Sequence, residues 1–240
     1  ASLRVLVDGD PGFTQILWDQ YVVEGEPLPE YDFHYTVGRN IGTASSTAPT
    51  AGRFWRPIFH PIDVDLFPAR PVSAAAPFTT IMSWNGRGIR FNGTAYGAKD
   101  MEFAKFLDLP SRTSTPLEVA VGGPDVPIER LTAAGWGTRS SVSVTLTFDD
   151  FRSYIAQSRG EFSVAKNVYV ATNSGWFSDR AGAYLASGRP VVLQDTGFSA
   201  HLPCGTGLFA VRTVDEAAAA IDAIGSDWNR HSRAAREIAG

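Results

Sequence analysis

The sequence predicts an α/β fold, a Rossmann-like parallel sheet with helices on both faces. Three observations predict it: short apolar runs recur from Pro77 onward, stretches with helical apolar spacing separate them, and glycine or proline turns punctuate the joins. Parallel strands need crossover helices, and a sheet covered on both faces is built from strands that are apolar throughout rather than alternating.

In chain order, Leu3 to Val7 reads as a short buried strand, followed by the turn DGDPGF and an amphipathic piece around Gln15 to Val23. Residues 25–57 contain EGEPLPEYD and NIGTASSTAPTAG, show no period and read as loop. The segment HPIDVDLFPARP, His60 to Pro71, is punctuated by Pro61, Pro68 and Pro71 and reads as a connector into a new unit. This divides the chain into a partial N-terminal segment with its linker, 1–59, and a Rossmann-like unit, 60–240.

Within that unit Thr79 to Ser83 is an apolar strand, and Asp100 to Leu107 has helical spacing with Met101, Phe103, Ala104, Phe106 and Leu107. Leu117 to Val121 is a strand stopped by Gly122-Gly123-Pro124, and a helix follows around Pro127 to Ala134. Next come a strand at Val142 to Leu146, a helix at Asp149 to Gln157 and a strand at Val168 to Ala171. The helix Asp179 to Ser187 ends at Gly188 with Pro190 beyond it, the usual C-terminal punctuation. Strands at Val191 to Leu193 and Leu208 to Val211 complete the set. Thr213 and Glu216 form a capping box for the alanine-rich helix 215–224, and Asp227 to Ala239 is a final helix.

Composition narrows the function classes. The 240 residues are 44% hydrophobic and carry a formal charge of −4, from 21 basic and 25 acidic residues spread along the chain. Nothing in that balance favours a nucleic-acid partner. The single cysteine, Cys204, excludes an intramolecular disulfide, fits a reducing cytoplasm and reads as a small packed residue beside Pro203 and Gly205. No apolar run approaches the roughly 20 residues of a membrane helix, and ASLRVLVDGD lacks the basic start and apolar length of a signal peptide. The expected location is cytoplasmic. The abrupt opening on a strand and the break-off within a helical pattern predict a piece of a longer protein.

His34, His60, His201 and His231 show no metal spacing, so no metal is expected. Gly-x-Ser-x-Gly, His-Glu-x-x-His and a helix-opening Gly-x-Gly-x-x-Gly are all missing, which leaves hydrolase, zinc-protease and dinucleotide-oxidoreductase readings without their motifs.

In open parallel sheets ligands sit beyond the carboxyl ends of the strands, so the loops after strands carry the candidates. The loop WNGRGIRFNGTAYGAKD sets Arg87, Arg90 and Lys99 among four glycines; glycines let backbone approach a ligand, and a cation at the next helix suits a phosphate. It is not a Walker A loop, because Asp100 follows Lys99. Ser178 or Asp179 caps the following helix and orients free N–H groups toward the strand-end cleft. Arg180 in the first turn opposes the helix dipole, so it answers to a ligand, a buried carboxylate or a surface ion pair. Trp176 and Phe177 read as core or rim packing. The turn Asp195 to Phe198 supplies Thr196 and Gly197 where a second phosphate contact would lie. Glu161 and Lys166 read as a structural salt bridge, with Glu161 alternatively a ligand for ribose hydroxyls. Asp8 and Asp10 form an Asp-x-Asp built of turn formers, and the turn is the better reading. Two helix entrances and a basic glycine loop on one sheet edge would make a positive cleft for a diphosphate.

The runs AYLASGRPVVLQDTGF and LPCGTGLFAVRTVDEAAAAI resemble the C-terminal nucleotide-sugar domain of GT-B glycosyltransferases, particularly the large retaining, group 1-like set, and HPIDVDLFPARP resembles the connector between their two domains. The resemblance covers residues 60–240 and makes residues 1–59 the tail of an acceptor-side domain. It implies transfer of a sugar from a nucleoside-diphosphate donor, itself a substrate with no further cofactor, to an acceptor the residues do not identify. The family's phosphate-binding Arg and Lys would fall on Arg87 and Lys99, and its diphosphate glycine loop on Thr196 and Gly197. The family's paired glutamates would fall on Gly175 and Ala183, so neither carboxylate is present; Asp179 and Arg180 are the residues placed to take over part of that role. The alternative is a non-catalytic Rossmann-like module that binds a nucleotide or a partner protein.

Overall fold

The structure, a computed structural model, describes residues 2–240. Its first strand, β1 (Val5–Asp8), leads through a Gly-Asp-Pro turn into α1 (Phe13–Glu24), and with β2 (Phe33–Thr36) and β3 (Trp55–Pro57) forms a parallel sheet in the order β1-β2-β3. Asp8 fixes this corner. Its buried carboxylate accepts from the Asp10 N–H (2.9 Å), the hydroxyls of Thr14 (2.7 Å) and Thr36 (2.8 Å), and the Gln15 side-chain amide (2.8 Å). Four donors replace the water that a buried carboxylate loses.

Two expectations fail in this part. Residues 25–57 are not all loop, because they contain β2 and β3; β2 is short and puts a polar His34 inside, where Trp18, Tyr31 and Trp55 surround it. Nor is the first strand buried: β1 is an edge strand, with Val5 49% and Val7 58% exposed.

After a connector whose one 3₁₀ turn covers Val64–Leu66, the chain builds a second, larger sheet. In order come β4 (Phe78–Ser83), the antiparallel hairpin β5 (Ile89–Phe91) and β6 (Thr94–Tyr96), α2 (Lys99–Phe103), β7 (Leu117–Gly122), α3 (Ile128–Ala133) and β8 (Gly137–Ser140). Then follow α4 (Val142–Thr145), α5 (Phe148–Gln157), β9 (Gly160–Ser163), α6 (Asn167–Ala171), α7 (Asp179–Ala186), β10 (Val191–Gln194), β11 (Leu208–Val211), α8 (Val214–Ser226) and α9 (Trp228–Ala239). The sheet order is β11-β10-β9-β4-β7-β8, parallel throughout. This is the Rossmann-like architecture the sequence predicts. The chain winds outward from β4 through β7 and β8, then crosses back to β9 and winds the other way, so the topological switch lies between β4 and β9.

Helices cover both faces. Val192 packs with Phe103, Phe106, Trp136, Phe162 and Ile221, whereas its neighbours Val191 and Leu193 pack with Ile155, Tyr184, Leu185 and Leu208 on the other side. The period of two along β10 thus serves two cores. Of the expected Thr213–Glu216 capping box one half forms: Thr213 accepts the Glu216 N–H at 3.2 Å, while the Glu216 carboxylate takes the Arg212 N–H (2.6 Å) instead. The full reciprocal box is at Thr147 and Asp150, at the start of α5, a cap not singled out from the sequence.

Three further readings need correction. Val142 to Leu146 is not a strand; 142–145 is the turn of α4, with only Val144 inward and both Val142 and Leu146 exposed. The strand is the polar segment β8 beside it, which as an edge buries too little to need an apolar pattern. Val168 to Ala171 is likewise helix, α6, and the strand is β9, whose apolar signal is broken by a fully buried glutamate, Glu161. Cys204 is exposed rather than packed, because it lies on the open turn between β10 and β11.

Candidate functional site

At the switch point the pairing of β4 with β9 covers only Phe78↔Gly160 and Thr79↔Glu161, and beyond it the segments that follow the two strands are stitched together. The Asn167 N–H donates to the Ala98 carbonyl (3.2 Å), the Gly97 N–H donates to Asn167 Oδ1 (3.1 Å), and Asn167 Nδ2 donates to Glu102 Oε1 (2.7 Å). Glu102, fully buried, also accepts from Lys105 Nζ (2.7 Å) and Gln194 Nε2 (2.5 Å). These bonds hold the first residue of α2, Lys99, against the loop that leaves β9.

Lys99, Glu161 and Arg180 meet here. Glu161 Oε1 accepts from Arg180 Nε at 2.6 Å, and Arg180 Nη2 donates to the Ser163 hydroxyl, also at 2.6 Å. The Glu161 side chain is 0% exposed and that of Arg180 12%, so this is a buried ion pair. Burial pushes the Glu161 carboxyl upward against the opposing pull of Arg180 and Lys99. Lys99 makes no ion pair among the described residues, and burial, reinforced by the Arg180 charge, lowers its amine to about 7. Lys166 pushes in the same direction, whereas Glu161 and Asp179 oppose it. A cation crowded by cations and short of a partner is a place where an anion would be stabilised.

Arg180 therefore answers to a buried carboxylate. The expected Glu161–Lys166 bridge does not form: Glu161 faces the α7 side of the sheet, where Arg180 takes it, and Lys166 turns to the first unit, where its Nζ lies 2.7 Å from Asp10 Oδ2. The structure assembles the other candidates unevenly. Ser178, buried, caps α7 by accepting the Ala181 N–H (3.4 Å), and Asp179 beside it is exposed. Asp179 and Arg180 line a groove of about 700 Å³ that Ile62, Leu66, Phe67, Phe148 and Phe151 close from the other side. Arg87 is exposed, its guanidinium 5.8 Å from the Phe13 ring of α1. Thr196 and Gly197 follow β10 but are occupied: the Thr196 hydroxyl donates to the Trp176 carbonyl (2.5 Å), and the Gly197 N–H donates to Asp195 Oδ1 (2.8 Å).

Sequence reasoning missed the contribution of the first unit. The loop after β2 runs across the exits of the larger sheet: the Asn40 N–H donates to Ser174 O (3.0 Å), the Thr47 N–H to Thr172 O (3.1 Å), and Asn40 Oδ1 lies 2.7 Å from His201 Nε2. Asp10 joins from the end of β1, accepting from Lys166 Nζ and from the Tyr169 hydroxyl (2.6 Å). Gly175 shows how tight the junction is. Its φ is +73°, and a Cβ there would stand 2.7 Å from the backbone nitrogen of Asn40, while Ala183 is buried in the core of α7. The signal for Asp10 was present in the Asp-x-Asp turn, but its partner lies 156 residues away, beyond local pattern. Among the described residues no three His, Cys, Asp or Glu side chains cluster as a metal would require, and no helix is long and apolar enough to cross a membrane.

No protein-family model and no curated protein matches the sequence. Solved structures do match the fold. S. aureus TarM is 9% identical with a TM-score of 0.57, over 98% of this chain and 51% of that one. Sucrose-phosphate synthase from Thermosynechococcus elongatus is 14% identical with a TM-score of 0.52, over 98% of this chain and 53% of that one. Anabaena HepE, solved in complex with UDP and glucose, is 15% identical with a TM-score of 0.51, over 82% of this chain and 57% of that one. The chain thus spans little more than half the length of these proteins. The likeness is one of fold, the GT-B architecture of a parallel sheet flanked by helices.

Proposed function

We propose that this chain is the donor-binding part of a glycosyltransferase, transferring a sugar from a nucleoside-diphosphate sugar to an acceptor hydroxyl or other nucleophile. The observation that carries the reading is Lys99: a lysine without an acidic partner, partly desolvated and crowded by Arg180 and Lys166, at the switch point of a GT-B sheet. Switch points are where doubly wound sheets bind nucleotides.

In this reading the bond between the sugar's anomeric carbon and the diphosphate oxygen breaks while one to the acceptor oxygen forms, and the acceptor's proton leaves to a base or to water. The diphosphate departs with growing negative charge. Lys99 stabilises that charge directly, and Arg180, fixed by Glu161, supports the field from behind. Arg87 is placed on the exposed loop leading to the hairpin and would meet the donor from the side of α1. HepE's structure with UDP and glucose is consistent with a UDP-sugar donor. Isothermal titration calorimetry with UDP, GDP, TDP and ADP tests the reading: diphosphate binding that Lys99→Met weakens about tenfold supports it, and binding of none of the four overturns it.

One observation favours a second reading, a non-catalytic nucleotide-binding module. By resemblance to the glycosyltransferases named above, their glutamate pair would fall on Gly175 and Ala183, and the space at Gly175 is filled by the backbone of Asn40. Release of free sugar from a donor that binds separates the two: turnover supports the enzyme, and tight binding without hydrolysis or transfer supports the module.

A further inference from the structure

We infer that Lys166 is a further ligand of the donor diphosphate and that Asp10, from the other unit, is the residue that positions it. The inference rests on the donor-site reading above and adds to it a residue from each side of the junction.

The backbone places Lys166 beside Lys99. Residue 167 exchanges hydrogen bonds with both Gly97 and Ala98, so the residues just before α2 and just after the β9 exit run side by side, and the Lys166 charge is near enough to act on Lys99. Lys166 is charged, presented on the loop that leaves a central strand, and 37% exposed, so it keeps access to a ligand. Its amine has three donors, of which Asp10 Oδ2 engages one at 2.7 Å. The Tyr169 ring, 5.4 Å from Nζ, backs the amine from a second side, and the Tyr169 hydroxyl holds the other Asp10 oxygen at 2.6 Å. Asp10 is itself anchored, because its N–H donates to the four-times-bonded Asp8 and its carbonyl accepts the Thr14 N–H at the start of α1 (3.0 Å). A flexible lysine is thereby held beside the start of α2 with donors to spare. The charge balance agrees: Arg180 is committed to Glu161 and Asp10 to Lys166, which leaves Lys99 as the uncompensated cation and Lys166 as its neighbour.

The role of Asp10 makes a prediction of sign. A carboxylate near a phosphate site acts against anion binding if it does nothing else, so removing it would tighten binding. If it orders Lys166, removing it weakens binding instead. Titration of UDP and of inorganic pyrophosphate into the full chain, with Lys166→Met, Lys166→Arg, Asp10→Asn and Lys99→Met compared with wild type, decides the matter. The expected result is a loss of about tenfold or more for Lys166→Met, a smaller loss for Asp10→Asn, and near wild-type binding for Lys166→Arg, with thermal melts confirming that each variant is folded. Unchanged affinity for Lys166→Met alongside a loss for Lys99→Met overturns this inference and leaves the donor site standing. Tighter binding by Asp10→Asn overturns the positioning role. A wild-type chain that binds neither probe overturns both readings.

Discussion

Removing Arg180 should leave a carboxylate stranded inside the protein. The Glu161 side chain is completely inaccessible, its Oε2 has no hydrogen-bond partner, and its Oε1 relies on Arg180 Nε at 2.6 Å. Breaking a buried pair by deleting one partner costs about 3–5 kcal/mol, because the remaining charge keeps its desolvation cost and loses its compensation. Screening by solvent does not discount this, since both groups are shielded. For Arg180→Met the expected loss at pH 7 is therefore about 3 kcal/mol, or about 6–12 °C in Tm for a chain of this size. The pH dependence has a definite sign. Glu161 already has its folded-state pKa raised by burial, and without Arg180 it rises further. A carboxyl whose folded pKa exceeds its unfolded value contributes stability at low pH that is lost as pH rises through the folded pKa. The deficit of Arg180→Met should therefore shrink as pH falls from 7 toward 5. Urea unfolding at both pH values measures it, and the double variant Arg180→Met/Glu161→Gln should regain most of the loss. A single variant within about 0.5 kcal/mol of wild type, or a double variant no more stable than the single, would refute the buried-pair argument.

Two other outcomes follow from the same region. Because burial and Arg180 lower Lys99 to about 7, the lysine is charged below that pH and neutral above it, so diphosphate affinity should fall between pH 6 and 8.5; in Lys99→Met the profile should flatten, as calorimetry at several pH values would show. Introducing a carboxylate with Gly175→Glu should destabilise the chain by about 3 kcal/mol or more, read by thermal melting, because the left-handed φ of +73° and the Asn40 backbone at 2.7 Å leave no room for a side chain.

The fold was legible where local chemistry and burial agree. The strand at Thr79–Ser83, the Thr213 cap and the glycine stop of α7 each carry a signal that the surrounding structure keeps. It was illegible where tertiary partners override pattern. β9 hides because Glu161 interrupts an otherwise buried strand, and only Arg180, 19 residues later, makes that charge tolerable. Val168 and Tyr169 looked like strand because both are buried, yet they face α1 and the first unit from a single helical turn. At the site, Arg180's awkward place in the first turn of α7 was readable as a demand for a ligand, a buried carboxylate or a surface ion pair, but which of these was not. The Lys166–Asp10 pair spans the two sheets, and nothing within either segment points to the other.

The commitments of Thr196 and Gly197 decide what kind of recognition this site can offer. A glycine loop that binds a diphosphate does so with free backbone amides, and here the Gly197 N–H is spent on Asp195, while a Cβ at Gly197 would stand 2.5 Å from Asn40 Nδ2 and from Asn173 Oδ1. The glycine is required by a φ of +93° and by the crossing of the first unit's loop. In the proposed reading, side-chain cations would then carry the phosphate contacts on this side of the site. If Lys99 and Lys166 hold a diphosphate, they would do so without the fixed geometry of an amide nest, so its affinity would rest on Coulomb attraction and decline with ionic strength. Specificity for the rest of a donor would have to come from elsewhere. The loop after β2, bonded to residues 172–175 and to His201, is the part of the first unit that already reaches across.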